Sequence, residues 1–235
     1  MTLDEVMAEL KKLGNEQTRK TWLAHGVQGE MFGVKIGDMK AIQKKIKRDQ
    51  ALALELYETG NADAMYFAGL ICDPKQMTKK QLQEWANKAT WHMLSEYTVA
   101  WAAAESRYSH ELAIEWIDSK DEKLQSAGWN TYGSLLALVP DEQLDKIEIA
   151  ALLDRIQKTV HTQGERVKYT MNGFVIAVGT YVPSLNSKAK ATGNAMGKVK
   201  VNMGNTACKV PDAVMYIEKV EKMNKVGQKR KTVFC

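Results

Sequence analysis

The stretch "TWHMLSEYTVAWAAAES", residues 90–106, gathers the side chains with the greatest capacity for chemistry. Trp91 and Trp101 bracket His92, Ser95 and Glu96. An indole face attracts a cation, a carboxylate stabilises developing positive charge, and a histidine exchanges protons near neutral pH. At about 100° per residue, Trp91, Ser95, Thr98 and Ala102 share one helix face, and His92, Glu96, Val99 and Ala103 share a second. Met93, Tyr97, Ala100 and Ala104 form a third. Most of that circumference is apolar or small, so the pattern predicts a largely buried helix, with residues 102–104 close to a neighbouring helix. A tryptophan in such a setting is more often core than binding platform, and only its context decides otherwise.

Other chemistries have no signature. The chain contains no GxxxxGK[ST] phosphate loop, no HExxH and no CxxC. The four histidines (His25, His92, His110, His161) are never four apart, so no helix offers a ready metal pair. No metal and no cofactor are expected. Cys208 stands beside Lys209, where a thiol pKa can fall, but a small loop cysteine is the simpler reading. Three widely spaced cysteines, Cys72, Cys208 and Cys235, argue for a reducing compartment, and no apolar run approaches the roughly 20 residues of a bilayer span. The expectation is a soluble, cytoplasmic protein.

Charge is divided unevenly along the chain. Residues 1–163 carry 20 Lys/Arg against 24 Asp/Glu, whereas residues 164–235 carry 13 against 4, a balance of +9. A basic third on a nearly neutral body fits a polyanion partner, since each neutralised phosphate releases counterions. A solvated basic tail would give the same composition.

The elements that must position these residues are helices. Thr2 and Glu5 form a capping box, a second helix follows near 15–25, and the glycines of "HGVQGEMFGVKIGD" (25–38) predict a loop. Asp38 is expected to cap the helix over 38–48. Helix pairs are then expected over about 50–73, 79–106, 109–139 and 141–182, and "LALELYE" is echoed by "LAIEWID". Ala68-Gly69 is similarly echoed by Ala127-Gly128. The four prolines (Pro74, Pro140, Pro183, Pro211) fall at the boundaries, where they spare helix interiors a cost of about 3 kcal/mol each. A pair of short helices cannot bury its own apolar stripe, so the pairs must stack. The chain reads as one all-α solenoid domain, 1–235, of stacked HEAT-like pairs, with about 183–235 forming a small basic C-terminal cap. In that cap "KVKVNM" (198–203) alternates like a short strand, and "DAVMYIEKVEKMN" predicts a last helix.

Several extended segments, in order, resemble the AlkD-like DNA alkylation repair family of HEAT-like-repeat proteins. They are "FGVKIGDMKAIQKKIKR", "LALELYETGNADAMYFAGLI", "ATWHMLSEYTVAW", "LAIEWIDSKDEKLQSAGW" and "RVKYTMNGFVIAVGTYV". "VNMGNTACKVPDA" and "KVGQKRKT" look characteristic of one branch. The resemblance implies a helical superhelix, a double-stranded DNA partner and excision of cationic N3- or N7-alkylated purines. It places Trp91 and Phe174 at the family's lesion-facing aromatic positions, and Arg166 and Lys168 at phosphate-contacting ones. The family's catalytic aspartate, however, falls on Ser95, which carries no charge. Glu96 is the neighbouring candidate carboxylate, if the helix is rotated, whereas Glu105 lies roughly 15 Å farther along the axis. The family's basic position on the next second helix falls near Gln125-Ser126, with Lys123 the nearest cation. Two expectations follow: an alkylpurine DNA glycosylase with a rearranged site, or a non-catalytic HEAT-like module that binds DNA or a protein. A purely structural scaffold is a third.

Overall fold

The computed structural model describes every residue except Asn205, Ala207 and Cys235. The segments "GNTACKVP" and "KVGQKRKTVFC" therefore lie partly outside the described residues. The described chain is all-helical and divides into two compact units, residues 1–107 with 203–207 and residues 108–202 with 208–235.

In the first unit, Thr2 and Glu5 close the expected capping box on α1 (Leu3–Leu13), and Asn15 caps α2 (Glu16–Ala24). Residues 25–35 form the predicted loop. α3 (Ile36–Ile46) starts earlier than expected: Lys35 is its N-cap, and Asp38 sits in the first turn, where a carboxylate still favours the helix dipole. Asp49 caps α4 (Gln50–Glu58), and Asn61 caps α5 (Ala62–Ile71), whose residues are all buried. Thr78 and Gln81 cap α6 (Lys79–Lys88).

The stretch quoted at the outset is not one α-helix. A π-helix over Leu94–Val99 runs into α7 (Ala100–Ala104), with the Ala100 N–H reaching back to the Ser95 carbonyl. The π-helix packs against α5, and a Cβ on Gly69 would stand 2.6 Å from Thr98 Cγ2, so glycine permits that approach.

In the second unit, α8 (Ser109–Ile117) and α9 (Glu122–Leu138) form one pair, and α10 (Lys146–Thr159) and α11 (Glu165–Tyr181) form the next. α10 begins five residues after the expected start at 141, because a short 3-10 turn, Asp141–Gln143, follows Pro140 and Asp145 supplies the cap. Gly128 has its own reason: a Cβ there would meet the Ile117 nitrogen at 2.5 Å. The second helices α9 and α11 lie against each other, burying Trp129, Tyr132 and Phe174. Stacked helix pairs of this kind are HEAT-like repeats.

α12 (Asn186–Met196) and α13 (Ala213–Lys222) pack on α11 as the C-terminal cap. "KVKVNM" is irregular chain rather than a strand. No partner strand exists for it among the described residues, and Val199 is buried while Val201 packs on the same core. Beyond α13, the Lys229 Nζ donates to the carbonyls of Leu136 (2.8 Å) and Tyr181 (2.9 Å), tying the ends of α9 and α11 together. Burial at this position lowers the lysine pKa. No helix among the described residues is long and apolar enough to cross a membrane.

Candidate functional site

Trp91 stands at the entry to the π-helix and is 6% exposed. Its indole N–H donates to the His25 carbonyl at 3.0 Å, and its ring lies 5.3 Å from that of Trp22, tilted by 55°. His92 meets the same indole edge-on at 5.6 Å, and the His25 and His92 rings are 6.4 Å apart. Trp91 is thus the hub of an aromatic cluster drawn from α2, the 25–35 loop and the start of the π-helix. Among the described residues no group of three or more His, Cys, Asp or Glu gathers as metal ligands.

The loop that supplies His25 is held by Asp63. Its carboxylate accepts the backbone N–H groups of Phe32 (2.6 Å), Gly33 (3.0 Å) and Val34 (2.8 Å) from a buried position. Gly33 is essential to the turn. Its φ is +79°, and a Cβ would stand 2.7 Å from the Arg19 nitrogen. No motif in the sequence marks Trp22 or Asp63. Their signal was present only as the glycine-rich loop between them, which demands an anchor for its backbone donors.

Ser95 and Glu96 are both 1% exposed. The Ser95 hydroxyl leans on the His92 carbonyl at 3.4 Å. The 100° spacing used to place Glu96 assumes α-helical bonding, and a π-helix turns less per residue, so the angular reading does not carry through residues 94–99. Tyr97 and Trp101, each half-buried, meet edge-on at 5.3 Å.

In the second unit, Phe174 is 1% exposed and packs between Trp129 (5.3 Å) and Tyr132 (5.5 Å). Tyr132 in turn donates its hydroxyl to Glu148, which also bonds His110 Nε2 at 2.8 Å. The structure draws Lys123, Arg166 and Lys168 toward one end of this unit. The Glu122 carboxylate accepts the Arg166 backbone N–H at 2.9 Å, holding the starts of α9 and α11 side by side. The Arg166 guanidinium lies 4.5 Å from the Tyr169 ring centroid, a cation–π arrangement. Lys168 pairs with Glu165 and is mostly covered; this bond and the Asn202 N–H hold the Glu165 carboxyl below its usual range.

Helix pairs with stacked second helices, closed by a cap built on two further helices, define a HEAT-like repeat protein. The chain belongs to the DNA alkylation repair enzyme family, whose model matches residues 6–206. It is 36% identical to the uncharacterized protein Lmo0209 of Listeria monocytogenes over 96% of this chain and 100% of that one. It is likewise 36% identical to the uncharacterized protein Lin0241 of Listeria innocua, over 93% and 97%. A solved structure covers the whole of both chains at 40% identity, with a TM-score of 0.91. That protein is described as one of a new family related to the HEAT-like repeat DNA glycosylases with affinity for branched DNA structures.

Proposed function

We propose that this protein binds DNA, with preference for branched over linear duplex, and does not excise alkylated bases. The observation that carries the reading is Ser95. The position that resemblance assigns to the catalytic carboxylate holds an uncharged side chain, and the adjacent Glu96 is buried at 1% exposure. A buried carboxylate is poorly placed to meet charge developing on a sugar in a bound duplex. The 40%-identical protein with affinity for branched DNA supports the choice of ligand, as do the basic residues of 164–235.

In this reading Lys123 and Arg166 contact phosphates from the end of the second unit that α9 and α11 share, while Lys168, covered and paired with Glu165, steadies the start of α11. Trp91 and Phe174, each buried within its own unit, act as core rather than as DNA contacts. Phosphate contacts are electrostatic, so binding should weaken steeply as salt rises.

Excision is the second reading, and the π-helix favours it. A non-α register over Leu94–Val99 is a backbone departure of the kind often found at functional sites, and it re-aims Glu96. Two measurements separate the readings. Fluorescence anisotropy at low salt should show tighter binding to a four-way junction than to a linear duplex of the same length. Incubation with 7-methylguanine-containing duplex should release no base above a heat-depurination control. Base release would establish excision instead, and failure to bind either DNA would remove the nucleic-acid reading.

A further inference from the structure

The second unit contains a cavity of about 580 Å³ that none of the preceding roles uses. One wall is the face of α11 carrying Gly173, Ile176 and Ala177, and the opposite wall is α13 with the chain that follows it. Gly173 leaves space there, since a Cβ at that position would meet nothing within 4 Å.

The wall chemistry is of two kinds. Tyr216 and Met223, 48% and 46% exposed, present apolar surface to solvent where burial would be favoured. Around them Lys225, Lys229 and Arg230 line the same cavity, and no Asp or Glu does. Lys229 is occupied with the helix-end carbonyls, which leaves Lys225 and Arg230 as the cations at the cavity whose side chains are exposed. An apolar cleft with an aromatic ring and a purely cationic lining suits a flat, hydrophobic ligand that carries negative charge.

We infer that this cavity takes an unstacked nucleotide of a branched DNA, its base against Tyr216 and the α11 wall and its phosphate at Lys225 and Arg230. The inference rests on the proposed preference for branched DNA and explains it. A linear duplex keeps its bases stacked and paired, whereas a bulge or branch point offers one already freed. Removing a base from a duplex costs a few kcal/mol that an unpaired base has not to supply again. Stacking on an aromatic ring beside a positive backbone track is the usual way proteins hold single-stranded nucleotides. The volume lies within the range of small-ligand sites.

The test uses the full-length protein and a duplex with a single unpaired 2-aminopurine. Gly173→Leu projects into the cavity from a helical position where a Cβ meets nothing within 4 Å, and Tyr216→Ala removes the ring from a half-exposed one. Each should weaken binding of the bulged duplex about tenfold and restore the 2-aminopurine fluorescence quenched by the parent protein. Affinity for fully paired duplex should stay within twofold, and the thermal melting point should not fall for Gly173→Leu. The double variant Lys225→Ala, Arg230→Ala, which removes both cations from that one phosphate, should flatten the slope of log affinity against log salt by roughly 1. Unchanged bulge binding and quenching in Gly173→Leu would overturn the cavity assignment while leaving DNA binding intact. Absence of any DNA binding by the parent protein would instead remove the functional reading beneath it. Displacement of the bulged DNA by an acidic, aromatic-containing peptide that itself binds only the parent protein would overturn the nucleotide in favour of a protein segment.

Discussion

The indole N–H of Trp91 donates to the carbonyl of His25, 66 residues earlier in the chain, at 3.0 Å. With Trp22 against its ring, the bond makes Trp91 a clasp between the first loop and the π-helix, so its loss should register first in stability. Trp91→Phe keeps the apolar body and leaves the carbonyl without its partner, a cost of about 1–2 kcal/mol, whereas Trp91→Ala should cost about 3–5 kcal/mol. Urea denaturation measures both. Junction affinity of the folded Trp91→Phe protein should stay within about twofold of the parent; a tenfold loss would make the indole a DNA contact after all.

Asp63 offers a sharper stability test. One carboxylate serves three consecutive backbone donors, Phe32, Gly33 and Val34, from a buried position. Asp63→Ala strands all three, and charged hydrogen bonds of this type contribute about 1.5–3 kcal/mol each before the loop relaxes. A net loss of roughly 3 kcal/mol is expected. Hydrogen exchange should accelerate at the amides of residues 32–34 well before those of α5, a pattern that general destabilisation would not give.

Gly128 and Gly173 carry opposite predicted signs. Gly128→Ala places a methyl 2.5 Å from the Ile117 nitrogen and should destabilise by about 1–3 kcal/mol as α8 and α9 are forced apart. Gly173→Ala meets open space inside α11 and should stabilise by up to about 1 kcal/mol through helix propensity alone. Thermal melts of the two variants should move in opposite directions.

Cys72 and Cys208 should react very differently. Cys72 is buried, its thiol donates to the Gly69 carbonyl at 3.3 Å, and burial pushes its pKa up to about 12. Cys208 is exposed. Alkylation at pH 8, followed by peptide mass mapping, should modify Cys208 within minutes and Cys72 only under denaturing conditions. The raised pKa also sets a sign. The native thiol keeps its proton while the unfolded one ionises above about pH 8.5, so this site withdraws stability as pH climbs from there toward 12. Cys72→Ala should flatten that alkaline decline.

Much of the helical framework was legible in the sequence because its signals are local. The capping box of Thr2 and Glu5, the Asp and Asn caps and the prolines between helices all act within four residues of where they stand. The apolar periodicity that set the pairs is likewise a short-range property. Besides the π-helical register of residues 94–99 and the later start of α10, local reading failed at two places whose sequences look regular. "KVKVNM" alternates like a strand, but its valines pack into a helical core and no second strand exists among the described residues to bond it. Asp38 reads as a cap, yet the helix begins at Ile36, with Lys35 in the capping position.

What the sequence determined by itself, then, is the succession of helices, their pairing and the family they belong to, since these follow from backbone propensity and from segments preserved in order. Tertiary structure alone decided which side chains are open and which are enclosed. Trp91 is covered because Trp22 reaches it from α2 and the His25 carbonyl from the loop that Asp63 holds in place, and Phe174 because α9 packs across it. The angular position of Glu96 was equally out of reach, since a helical wheel presumes bonds four residues apart and residues 94–99 bond at five. Burial and register are set by partners tens of residues away, and no local pattern encodes the distance between them.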